Sequence, residues 1–492
     1  MMTSQTTLEK KIVELENSKQ IPQNSRPKIQ RVQEYLRNRK NFEKHYSPKL
    51  VSIGPIHHDN PNLKTGEKYK LMWAAKYLEN IGRNPRDLHK KIADNINELK
   101  GHFSDDVLTL TGQSLEDFGS LEEKLSWMLF VDGCSLLHIL EKAKLHVPGQ
   151  MNIKVDQLVL VMMDVLLLEN QLPYEVLKLL WKDSDESELI KSMKNFLKCH
   201  HWATPDNKRN RRKRRNQETS NIVPDKTGKE QHSVLITNES ETPSEKEKDM
   251  VPKRKGEGEH SLSIRNESQL ETPFHLLDLQ RNIILITSTT KINKESWSQK
   301  SSDEKVKMMT YRNIQDLRAV GIRLKSSKTR RPRDIDFSEG LFAAELTLPE
   351  IVVDDTSAAT FLNLIAYEMC PDFDNDYGIC SFAAFMDSLI DNPEDVKLLR
   401  SKGILLNSLG SDEEVAELFN IISTDLVPNS ETYFEVRAKI HDHYCNRCNT
   451  WIAEGFHTYF SNPWAIIAFI AAFTALVLTF IQTWFTVNPA SK

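Results

Sequence analysis

The stretch Val161–Trp181, VMMDVLLLENQLPYEVLKLLW, decides the fold class. Together with the residues before it, from Val155 to Leu168, it is apolar almost all round, as a helix in the middle of a core is and a surface helix is not. Three polar residues, Glu169, Asn170 and Gln171, then interrupt it. Proline disfavours the α conformation in the residue before it, so the helix should end near Asn170–Leu172, with Pro173 in the first turn of a second helix. Asn and Gln side chains at such a break can satisfy backbone groups that the helix leaves unpaired. A buried helix, a polar break and a second helix predict a body built mainly of helices.

The flanking sequence agrees. Leu121–Leu145 carries Leu125, Leu129, Leu136 and Leu140 at helical spacing, and TPFHLLDLQRNIIL resumes that period further on. The second half changes period. GIRLKSS, DIDFSEG and FAAELTLPEIVVDD read as short strands joined by basic and Gly turns. TSAATFLNLIAYEMC returns to helix with Thr356 or Ser357 as its cap, and SFAAFMDSLIDNPEDVKLLRSKGIL reads as two helices broken at Asn392-Pro393. Ser411 and Glu414 have capping-box spacing. The expected fold class is mainly α (α+β), a helical globular body with a small β-sheet in the second half. No Gly-rich phosphate loop and no βαβ rhythm occur.

The chain has 492 residues, an apolar fraction of 39%, a net charge of −4 and six cysteines. The apolar fraction is below that of ordinary globular chains, so part of the chain is expected not to pack. The small charge argues against a protein that coats nucleic acid, and the cysteines are too sparse for a disulfide scaffold. Residues 206–270 lose apolar periodicity and read as a disordered charged insertion. Within it seven of the eight residues from Lys208 to Arg215 are basic, followed by PKRK at Pro252–Lys255. Such a run suits acidic lipid or nuclear targeting. The N-terminus lacks the apolar stretch of a signal peptide and reads as a short amphipathic helix on Leu8, Ile12 and Leu15. Ala465–Phe485 carries no charge and is flanked by Trp464 and Trp484. Its length of about 32 Å, at ~1.5 Å per residue, crosses a bilayer core. The expected organisation is a tail at 1–25, a globular domain at 26–460 interrupted by the insertion, a transmembrane helix at 465–485 and a tail at 486–492. The simplest topology leaves the body in the cytosol, at the plasma membrane or an endomembrane. Two sequons, Asn238-Glu-Ser and Asn266-Glu-Ser, would be glycosylated only on the other side.

Candidate chemistry is thin. Asp132 and Asp164 sit in the two most apolar helices, where a carboxylate must be paired, hydrogen-bonded or neutralised. They could form a general acid/base pair, or serve as structural partners of Arg281, His275 or backbone N–H groups. VSIGPIHH, Val51–His58, offers Ser52, a Gly-Pro turn and His57. It lacks a nucleophile elbow, and Val51 and Ile53 alternate with Ser52 as in a half-buried strand. The candidate polar cluster is therefore His57, Asp132, Asp164, Glu169 and Asn170. His441, His443, Cys445 and Cys448 are metal-ligand types, but a second distant pair is lacking and they read as juxtamembrane packing. Neither a metal nor a cofactor is expected.

Several long motifs, in one order, resemble the plant "domain of unknown function 247" family. They are PKLVSIGPIHH, FVDGCSLLHIL, DVLLLENQLPYEVLKLL, HLLDLQR, NIQDLRAVGIRL, LPEIVVDDTSAATFLNLIAYEMC, FMDSLIDNPEDVKLLRSKGIL, SDEEVAELFN and YFSNPWAIIAFIAAFTALVLTFIQT. The resemblance implies a plant protein with a helical body, a variable charged insertion and a C-terminal transmembrane helix. It implies no reaction and no catalytic residue; relatives tied to grass self-incompatibility hint at recognition. Gln280 departs from the pattern, standing where an apolar residue is usual. The expected function is a membrane-anchored, non-catalytic recognition, signalling or scaffold protein with protein partners, and nucleic acid is not expected among them. The alternatives are an enzyme with a site around Asp132, Asp164 and His57, and a nuclear regulator using the basic run.

Overall fold

The computed structural model describes residues 7–17, 28–198, 272–285, 313–445 and 463–487, apart from short loop positions within them. The charged insertion, its basic run and both sequons lie outside the described residues. In chain order the main elements begin with α1 (Thr7–Asn17), α2 (Lys64–Ile81), α3 (Pro85–Asp94), α4 (Asp105–Gln113) and α5 (Leu121–Lys142). Next come α6 (Val155–Asp164), α7 (Tyr174–Leu180), α8 (Glu186–Leu197), α9 (Leu276–Leu285) and α10 (Ile314–Ala319). The second half has β1 (Ile322–Ser326), β2 (Asp336–Glu339), β3 (Ala344–Leu348), β4 (Ile351–Val353), α11 (Ser357–Glu368), α12 (Gly378–Asp387), α13 (Pro393–Ser401), β5 (Leu405–Asn407), α14 (Asp412–Ile422) and α15 (Phe434–Cys445). The last helix is α16 (Pro463–Val487). The chain is thus mainly helical with a small sheet component in its second half, as the change of period predicts.

Two hydrophobic clusters hold the body. The first packs α2, α3, α5, α6, α7 and α8 around Trp73, Tyr77, Leu129 and Leu137. The second packs α11 to α14 with the strands around Phe361, Phe382, Phe385 and Phe419. Helix α9 lies between them, which is why it is apolar on two faces. Leu276, Leu279 and Ile283 join the first cluster, while Leu277, Ile284 and Leu285 join the second. The N-terminal segment also crosses over: Val32, Leu36, Phe42 and Tyr46 belong to the second cluster. β3 is central to a three-stranded sheet, parallel to β1 and antiparallel to β2, and β4 pairs in parallel with β5.

Local signals place most boundaries. Asn392 caps α13 through the backbone N–H of Asp395, whose carboxylate reaches back, with Pro393 at the first position. Ser411 caps α14 by accepting from Glu414 N. One boundary differs from expectation. The apolar run from Val155 ends its helix at Asp164 rather than near Asn170. The reason is side-chain capping from downstream: Asn170 Nδ2 donates to Asp164 O at 2.9 Å, and Gln171 Nε2 donates to Val165 O and Leu167 O. At α11 Thr356 is the N-cap, as expected, and Asp354 holds the turn before it: its Oδ1 accepts from Thr356 N, and Ser357 Oγ accepts from Asp354 N.

α16 spans 25 residues, contains an 18-residue window, Ile467–Trp484, with mean hydropathy 1.9, and buries none of that window in the body. It is long and apolar enough to cross a membrane.

Candidate functional site

The segment from Lys49 to Gly54 bends at Lys49, Leu50 and Gly54, and it is not the half-buried strand that its alternation suggests. Val51, Ser52 and Ile53 are all fully buried, and no strand lies beside them. Its backbone donors are satisfied by side chains instead. Asp164 accepts from Lys49 N at 2.9 Å, Leu50 N at 2.7 Å and Val51 N at 2.9 Å. Asn170 Oδ1 accepts from Ile53 N at 2.6 Å, and its Nδ2 returns a bond to Val51 O at 3.0 Å. Asp132 Oδ2 accepts from Gly54 N at 2.8 Å. A buried segment must pair its backbone, and here three polar side chains from three helical elements take the place of a neighbouring strand. Two glycines let the pieces come this close. Gly54 has φ +78°, and a Cβ there would lie 2.8 Å from Gln171 O. Gly66, in the first turn of α2, would place a Cβ 1.9 Å from Leu50 O.

The charges are paired below this segment. Lys70 Nζ lies 2.6 Å from Asp132 Oδ1 and 2.9 Å from Glu67 Oε1. Burial works against the Lys70 ammonium, but Asp132 and Glu67 hold its pKa above the ordinary range. The Ser52 hydroxyl, 3.4 Å from Lys70 Nζ, donates to Glu67 at 2.9 Å. A lysine held charged cannot serve that serine as a base. Glu169 accepts from Val32 N at 2.7 Å and is paired with Arg37, and His57 Nε2 lies 2.8 Å from its other oxygen. Burial pushes the Glu169 carboxyl up, yet the bonds from His57 and Arg37 leave it below the usual carboxylate range.

The structure therefore gathers all five sequence candidates around one loop, and divides them by partner. Asp132 faces Lys70, Glu169 faces His57 and Arg37, and Asn170 faces backbone. Asp164 also borders a cavity of about 210 Å³, lined in part by Lys44, His45, Ser47 and Lys49. Burial, opposed by the three N–H donors, moves the Asp164 carboxyl up to about 6. His45 is held down near 4 by burial and by Lys44 and Lys49. Neither Arg281 nor His275 partners the two aspartates. Arg281 binds Glu368, which is fully buried and also accepts from Ile379 N and Cys380 N. His275 accepts from Asp278 N.

The residues that sequence reasoning passed over are Lys70, Glu67 and Arg37. Lys70 carried a usable signal: it shares a helix face with Trp73, Ala74 and Tyr77, so it had to be buried and paired. Gln171 joins the network by accepting from Leu277 N at 3.0 Å, which ties the break after α6 to α9. In α15, Cys445 Sγ lies 3.6 Å from His441 Nε2, while His443 approaches Val320 O. Cys448 lies outside the described residues, and among the described residues no group of three or more His, Cys, Asp or Glu could hold a metal.

A family model described as "Plant protein of unknown function" (DUF247) matches residues 29–478. The UPF0481 protein At3g47200 of Arabidopsis thaliana is 25% identical over 453 residues, which cover 89% of this chain and 82% of that protein. A second UPF0481 protein of the same plant, At3g02645, is 28% identical over 181 residues, or 36% of this chain and 33% of that protein. No solved structure matches the chain.

Proposed function

The chain belongs to the DUF247 family of plant proteins of unknown function, and from that premise we propose that it is a single-pass membrane protein whose body serves recognition or scaffolding. The carrying observation is α16, whose apolar window Ile467–Trp484 buries none of its residues in the body. So long an apolar helix left bare in water would cost far more than the isolated surface leucines of a soluble protein. The network at Lys49–Gly54 supports the non-catalytic part. Asp132, Glu169 and His57 are each committed to a partner inside the fold, and the cavity beside Asp164 is not lined by Asp132. The proposed partners are proteins, with the Lys208–Arg215 run contacting acidic lipid, and the proposed site is the plasma membrane or an endomembrane with the body in the cytosol.

Alkaline carbonate extraction of the full chain from plant membranes tests the anchor. The full chain should stay in the pellet and a chain ending at Asn462 should not. Release of the full chain overturns the anchor. A mobility shift on glycosidase treatment, lost in Asn238→Gln and Asn266→Gln, overturns the cytosolic placement. For the nuclear alternative, a fluorescent fusion with Arg211–Arg215 neutralised should keep its distribution.

A further inference from the structure

Two helices, α1 and α16, carry runs of exposed apolar residues, and each has a seam at heptad spacing. In α1 the exposed apolar residues are Leu8, Ile12, Val13 and Leu15. Setting Ile12 at position a puts Leu8 and Leu15 at d, the arrangement that favours parallel two-stranded pairing. The same register puts Lys11 at g and Glu16 at e. In a parallel, in-register pair, Lys11 of one copy faces Glu16 of the other, on both sides of the seam. An antiparallel pair would set Lys11 against Lys11 and lose that complementarity.

In α16 the residues at alternating steps of four and three are Ala468, Ala472, Ala475, Thr479, Gln482 and Thr486. Every one is small or polar, whereas the faces beside them carry Phe469, Phe473, Phe480 and Trp484. The hydroxyls of Thr479 and Thr486 are spent on carbonyls one turn back. The Gln482 amide makes no hydrogen bond among the described residues. In a bilayer such an amide is stabilised by a partner on a facing helix, and small residues let two backbones approach.

We propose that a second copy of this chain is a partner: two copies pair in parallel through the Leu8–Ile12–Leu15 seam of α1 and the small-residue face of α16. This rests on the membrane-anchored reading above, because two chains entering one bilayer by the same helix are parallel of necessity. α1 is about one and a half heptads long, too short to hold two soluble chains together. Confinement of both copies to one membrane supplies the effective concentration that such a short seam needs.

The test is disulfide cross-linking of the full chain in vesicles, with Cys199, Cys445 and Cys448 changed to Ser. Ile12→Cys should give a covalent dimer on mild oxidation, because a positions meet their own copies in a parallel pair, and Val13→Cys should give little. Glu16→Lys should lower the Ile12→Cys dimer on the order of tenfold, since two like-charge contacts replace two opposite ones. Adding Lys11→Glu should restore it, and Ala475→Ile should lower it again. Equal cross-linking at positions 12 and 13, no rescue by the double charge swap, or no dimer while the chain stays in the carbonate-resistant pellet overturns the pairing alone. Loss of the chain from that pellet overturns the anchor, and the pairing with it.

Discussion

Asn170→Ala is the substitution that most directly tests whether side chains replace a strand at Lys49–Gly54. Asn170 is 1% exposed, and its amide makes three hydrogen bonds to backbone: it accepts from Ile53 N and donates to Val51 O and Asp164 O. Truncation orphans Ile53 N and Val51 O, while Asp164 O keeps Leu167 N at 3.2 Å. Each buried orphan costs about 1–3 kcal/mol, and partial relaxation brings the sum to about 4 kcal/mol rather than the full total. For a body of this size that corresponds to roughly a 5 °C fall in midpoint. Thermal unfolding of the full chain in detergent, followed by circular dichroism, reads it. Asn170→Asp separates the polar network from simple packing. It has the same shape and keeps the acceptor for Ile53 N, but it sets carboxylate oxygens against two carbonyls. It should therefore cost at least as much as Ala at neutral pH. Burial would raise the pKa of the new carboxyl above its unfolded value, so its deficit should shrink as the pH falls through that raised pKa. A loss below about 1 kcal/mol in Asn170→Ala, or an Asn170→Asp variant as stable as the parent at neutral pH, would refute the reasoning.

Gln280 is fully buried with neither amide atom bonded among the described residues, so Gln280→Leu should stabilise the chain by about 1–3 kcal/mol; a lower urea midpoint would show that the amide has a partner. Gly66→Ala drives a Cβ to 1.9 Å from Leu50 O and should cost about 3 kcal/mol or more in folded yield and midpoint, whereas Gly149→Ala, with nothing within 4 Å, should be neutral. Acidification should destabilise the fold. Burial holds His138 near 4 and His275 near 3, below the 6.5 of an unfolded chain, so their contribution is complete above about pH 6.5 and is lost as pH falls through those values. Each adds a slope of about 1.4 kcal/mol per pH unit. Asp164, raised to about 6, contributes the opposite slope between its unfolded value and 6. Denaturant midpoints between pH 7 and 4 check this, and His138→Leu should flatten the limb.

The sequence carried the elements well where a local signal and a tertiary demand coincide. The strands at Ile322, Asp336, Ala344 and Ile351 follow from a change to short period, and the break at Asn392-Pro393 follows from capping chemistry. It carried the site only halfway. That Asp132 and Asp164 needed partners was legible from their apolar surroundings. That the partners include N–H groups of Lys49, Leu50, Val51 and Gly54 was not, because the contacts span 78 to 115 residues and backbone leaves no trace in composition. Val51–Ile53 reads as a strand for the same reason. Its alternation is real, but what pairs with it is a set of side chains, so both of its faces are buried.

That arrangement also says where function is to be sought. A segment held by Asp132, Asp164 and Asn170 cannot shift piecemeal, since removing any one leaves buried backbone donors without acceptors. The Glu169 knot with Val32, Arg37 and His57, and the Gln171 bond to Leu277, extend the same constraint to the N-terminal crossing segment and to α9. Polar residues buried this way specify one arrangement of the two clusters, and each change among them acts first on folding. Loss of activity on mutating His57, Asp132 or Glu169 would therefore not identify a catalytic group unless the variant kept its unfolding midpoint. The features free of that coupling are those the body leaves uncovered: the seam of α1 and the small-residue face of α16. Substitutions there can change association without changing the fold, which makes them the positions at which a recognition role can be measured apart from stability.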